Sequence, residues 1–106
     1  MFQKIETEAK VLILSVLKMA ELFAQADFDG KRDIVWVLNN NYLPKGRQLI
    51  ADSFQLWEDS GDENLLVDIE NLQQEIVDEV AGGCGRMLEA FKMEAHARGY
   101  ESIEVF

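Results

Sequence analysis

The chain has 106 residues, 48% of them hydrophobic, a single proline and a formal net charge of −10. This length and composition suit one globular domain and exclude an intrinsically disordered chain. A single cysteine excludes an internal disulfide. So acidic a balance argues against direct nucleic-acid binding, which depends on clustered Lys and Arg.

From Lys4 to about Gln25 the residues are good helix formers, and Ser15, Lys18, Glu21 and Gln25 recur three or four apart as a narrow polar stripe. Val11, Leu12, Ile13, Leu14, Val16, Leu17, Met19, Leu22 and Phe23 cover more than half of the cylinder, wider than the one-sided stripe of a surface helix. A helix of this kind belongs at the centre of a bundle or in a subunit interface. The competing reading, a buried strand over Val11–Leu17, is disfavoured by the helix-forming flanks on both sides. The same apolar run is too short for a membrane span, which takes about 20 residues. Glu6 and Glu8 ahead of it and Lys18 behind it do not resemble the positive leader of a secretory signal. A cytoplasmic protein with no membrane partner is expected.

Asp27-Phe28-Asp29-Gly30 reads as the turn that ends this helix. Asp33 is then placed to cap a short helix through Ile34–Leu38, which Asn39-Asn40-Asn41 would end. Pro44 suits the first turn of the next helix, to about Asp59, with Leu49, Ile50, Ser53, Phe54, Leu56 and Trp57 on one side. Ser60-Gly61-Asp62 forms the following turn, with Asp62 or Ser60 as N-cap. From there Leu65, Ile69, Leu72, Ile76 and Val80 step by three and four, and the same phase continues through Gly83 or Cys84 to Met87, Phe91 and Ala95. A seam that persists argues for one helix to about Arg98, while three glycines among residues 82–85 argue for a bend or a break. Ile103, Val105 and Phe106 are expected to tuck against the body. The fold class is all-α: a small bundle of about four helices, the long C-terminal one bent or broken at Gly82–Gly85.

Few constellations point to chemistry. Aligning Gly30 with the invariant glycine of a calcium loop puts Gln25 and Trp36 where its first and last carboxylates belong. Gly82-Gly83-Cys84-Gly85 follows a helical segment and lacks the Gly-Lys-Ser/Thr of a phosphate loop. Cys84 falls at the edge of the seam as a buried, inert thiol, far around the helix from the single histidine, His96, which is read as solvent-facing. Glu75 and Asp78 form one Glu-x-x-Asp pair, but no Glu-x-x-His occurs and the N-terminal helix offers no matching pair. No cofactor or metal is expected. Trp36 and Trp57, at helical spacing, read as core.

The charge is informative for where it lies. Between Gln48 and Gly85 there is no Lys, Arg or His, yet Asp52, Glu58, Asp59, Asp62, Glu63, Asp68, Glu70, Glu75, Asp78 and Glu79 all fall there. Asn64, Asp68, Asn71, Glu75, Asp78 and Glu79 make one polar, acidic stripe away from the seam. Such a stripe keeps a protein soluble. Solvated helices, however, ordinarily place Lys or Arg four residues from Glu, and none is placed here. The expectation is a non-catalytic acidic binding protein that covers a basic surface of a protein partner. An inhibitor or immunity-type protein acting on a nuclease, a toxin or a nucleic-acid-handling defence complex fits that description. Asp59, Asp62, Asp68, Glu75, Asp78 and Glu79 are the candidate contacts. The alternative is a homodimeric structural or adaptor domain joined through the N-terminal helix. A carboxylate-metal enzyme is the least favoured reading.

Overall fold

The computed structural model describes residues 2–100, all of whose regular structure is helical. Helix α1 spans Phe2–Gln25. After a two-residue turn, α2 (Phe28–Val37) runs through a π-helical turn at Leu38–Tyr42 into α3 (Leu43–Ser60). After a second short turn, α4 (Glu63–Ile76) runs through a π-helical turn at Val77–Ala81 into α5 (Gly82–Ala97). The chain is therefore three long helices rather than four, packed as an elongated bundle of 53 × 23 × 17 Å. The expected packing of Ile103, Val105 and Phe106 lies outside the described residues.

Local chemistry accounts for each junction. The Asp27 carboxylate accepts a hydrogen bond from the Gly30 amide at 2.8 Å, so Asp27, not Asp33, caps the second helix. Asn39-Asn40-Asn41 does not end that helix. The Leu43 amide reaches back five residues to the Leu38 carbonyl, and this widened turn directly precedes Pro44. A proline inside a helix removes one hydrogen bond and crowds the carbonyl four residues earlier, and a π turn at that point absorbs the defect without breaking the rod. At the other end of this rod, Gly61 takes a left-handed conformation (φ 64°) and donates to the Trp57 carbonyl at 2.9 Å. Asp62, as expected, caps the next helix by accepting from the Asn64 amide at 2.9 Å.

The predicted seam of the third long helix is buried almost as written: Ile69, Leu72, Ile76, Val80, Gly83, Cys84, Met87, Phe91 and Ala95. It meets Ile5, Ala9, Leu12, Ile13, Val16 and Phe23 of α1, together with Phe28, Val35, Leu38 and Leu49 of the second rod. Phe28 stacks on Phe91 with ring centroids 5.0 Å apart, fastening the start of α2 to α5. Trp36, by contrast, is half exposed rather than core.

The helix is not broken at residues 82–85. The irregular turn lies just ahead of them, and Gly82 itself has α-helical torsions with its amide bonded to the Val77 carbonyl. Gly83 has a different task. A Cβ there would lie 2.9 Å from Cγ1 of Val16, so α1 can approach α5 this closely only where the side chain is a hydrogen. Gly46 plays a related part on the second rod, where a Cβ would sit 3.4 Å from Val80, 3.5 Å from Ile76 and 3.8 Å from Leu12. Gly85 has nothing within 4 Å of its virtual Cβ. Gly83→Ala is therefore expected to lower stability by about 1–3 kcal/mol through overpacking. Gly85→Ala should raise it by about 0.5–1 kcal/mol, because only backbone entropy changes. Urea denaturation of the two variants checks the contrast, and equal effects would refute the close-contact reading.

Candidate functional site

The acidic residues singled out from the sequence are all exposed: Asp59, Asp62, Asp68, Glu75, Asp78 and Glu79. The structure does not bring all six together. Asp68, Glu75, Asp78 and Glu79 share the solvent side of α4 and the π turn after it, where Glu75 precedes Asp78 and Glu79 by three and four residues. Asp62 sits at the start of that helix with one carboxylate oxygen committed to the Asn64 amide. Asp59 belongs to α3 and lines a separate cleft that also contains Lys4, Lys45 and Asp52. The coherent face is therefore the four carboxylates of the third long helix.

What surrounds them matters as much. Among the described residues, no carboxylate between Gln48 and Gly85 forms an ion pair. Asp78 accepts only a neutral hydrogen bond from Gln74, at 2.9 Å, and Asp59 one from Gln55, at 3.0 Å. Val67 and Val77, which the charge pattern did not single out, stand 59% and 47% exposed on the same helix and its π turn.

Elsewhere some carboxylates are paired: Glu6 with Lys10, Glu8 with Lys45, Asp29 with Arg32, and Glu94 with Lys31 and Arg98. Glu94 accepts from Lys31 Nζ at 2.9 Å and from Arg98 at 3.4 Å, in a partly buried setting beside Phe28, whose ring is flanked by Arg32 and Arg98. The Lys31 hydrogen bond, then the nearby positive charges, hold the Glu94 carboxyl below its ordinary range.

Cys84 is fully buried, and desolvation pushes its thiol up to about 11, so it stays protonated and shielded, as expected from its place on the seam. His96 is exposed near the end of α5. Among the described residues no group of three or more His, Cys, Asp or Glu side chains is placed to hold a metal ion. Glu75 and Asp78 point to solvent without a facing pair. No described helix is long and apolar enough to cross a membrane.

A second feature was not legible in the sequence. An apolar groove of about 680 Å³ runs between α1 and the second rod, lined by Val11, Leu12 and Ser15 on one side and Tyr42, Pro44 and Gln48 on the other. It opens where the π turn carries the rod past α1, and reading Asn39–Asn41 as a helix end hid it. No protein-family model, curated protein or solved structure matches the chain, so its function has to be argued from its own residues.

The Glu94 cluster gives a pH prediction. A carboxyl held low in the folded state contributes stability above its unfolded pKa, and that contribution is lost as pH falls through the folded value. Glu94→Gln should therefore lower Tm at neutral pH, and the gap to wild type should close as pH drops below about 4. Melting curves of both proteins across that range test it, and a gap independent of pH would show the loss to be one of packing alone.

Proposed function

We propose that this chain is a non-catalytic acidic binding protein that covers a basic surface of a protein partner. An inhibitor or immunity-type protein directed at a nuclease, a toxin or a nucleic-acid-handling defence complex works in this way. The observation that supports it is the state of Asp68, Glu75, Asp78 and Glu79 on the third long helix: exposed, on one side, and in no ion pair among the described residues. Concentrated like charge raises the free energy of the isolated protein, and a partner of opposite charge removes that cost while speeding encounter. The buried, protonated Cys84 and the lone exposed His96 are consistent with binding rather than turnover.

The reading implies that the chain competes with nucleic acid for its partner and does not bind nucleic acid itself. Affinity capture from lysate of the source cell, at low and high salt, should retain a basic protein that elutes as salt rises. Reversing the face with Asp68→Lys, Glu75→Lys and Asp78→Lys should abolish that capture while leaving the helical circular dichroism unchanged, because all three side chains are exposed. A captured protein that is not basic, or that is held equally well by the reversed face, refutes the proposal.

A further inference from the structure

The outward side of α1 carries a pattern that neither the core nor the acidic face explains. Lys4, Thr7, Val11, Leu14, Lys18 and Glu21 recur in steps of three and four, which places them on one seam along the helix, and every one is exposed. The seam lies away from the buried row of Ile5, Ala9, Leu12, Val16 and Phe23. Val11 and Leu14 at its middle are 59% and 66% exposed, and Leu17 and Leu22 beside it are about half exposed. A bundle helix normally fills this side with polar residues. Lys4, Lys18 and Glu21, on either side of the apolar pair, belong to no ion pair among the described residues.

We propose that a second copy of the chain docks on this seam, α1 against α1 in antiparallel sense about a two-fold axis. The three-four spacing is that of a coiled-coil seam, in which helices interlock layer by layer. The antiparallel register that sets Val11 against Leu14 of the partner subunit also sets Lys4 against Glu21 of the partner subunit. It sets Thr7 against Lys18 of the partner subunit. The two-fold axis repeats each pairing, so the apolar layers fall at the centre and matched charges fall at both ends. A parallel pairing would stack Lys4 on Lys4, Lys18 on Lys18 and Glu21 on Glu21, and is disfavoured by that repulsion.

Charge selects this face as well as this direction. Two copies of a chain at −10 repel, and most of the excess lies on the third long helix, which packs against the inner side of α1 at Val16 and Gly83. Within α1, Lys4, Lys10 and Lys18 balance Glu6, Glu8 and Glu21. The α1 strip, about 36 Å long and about 10 Å wide, covers roughly 360 Å², so the contact draws on the flanking groove to approach the ~800 Å² per partner of a stable interface. The groove beside Val11 and Ser15 offers further apolar contact to the incoming helix.

This inference does not rest on the acidic-face reading, and either can fail without the other. Sedimentation equilibrium of the full chain at tens of micromolar should show a dimer. Leu14→Lys should shift it to monomer with an unchanged thermal melt of each protomer, since the side chain touches solvent in the isolated chain. Lys4→Glu should weaken association about tenfold. Adding Glu21→Lys to Lys4→Glu should restore it, because the swap recreates both pairs. A wild-type monomer overturns the proposal, and its association with lipid vesicles or a foreign helix would assign the seam to that occupant instead. A dimer indifferent to Leu14→Lys, or a double variant no better than the single one, overturns it equally.

Discussion

Where α1 meets α5, Gly83 leaves room for Val16, and nothing larger than a hydrogen fits. Much of the architecture follows from it. With the first and third helices held this tightly, the second rod must settle into the remaining groove, and Gly46 lets it do so against Val80, Ile76 and Leu12. The two glycines thus set the interhelical distances, and the large side chains Phe91, Leu38, Leu49 and Ile69 fill what is left. Within Gly82–Gly85 it is Gly83 that serves packing. A hinge would need backbone freedom, and here the torsions remain helical throughout.

Two π turns keep the long helices continuous where local chemistry argues for breaks. One stands ahead of Pro44 and the other ahead of Gly82. Each adds a residue to one turn, preserving the rod while shifting the side chains that follow around its axis. The first also opens the groove beside α1. A defect in local helical geometry becomes, at the level of packing, the surface feature nearest to the exposed seam.

The two surfaces of interest divide the chain's physics between them. The third long helix carries Asp68, Glu75, Asp78 and Glu79, which form no ion pair among the described residues, and α1 presents balanced charge around exposed leucine and valine. One surface suits a partner of opposite sign, the other a partner like itself. They lie on different sides of the bundle, so a dimer through α1 leaves both acidic faces open and offers them as a pair to a multivalent target.

By itself the sequence determined the helical class, the buried seam from Ile69 to Ala95, the Asp62 cap and the inert setting of Cys84. Each follows from short-range periodicity, capping or composition, which act within a turn or two of helix. It also located the acidic block, since charge is countable. Only the tertiary structure decided that the asparagines and Pro44 do not end the second rod and that Trp36 is half exposed. Only packing could separate Asp59, in its cleft with Lys4 and Lys45, from the carboxylates of the third helix. The physical reason is common to all of these. Propensities differ by fractions of a kcal/mol per residue, whereas burying one large side chain is worth about 1.5–3 kcal/mol. Contacts between distant residues therefore overrule local preference wherever the two disagree.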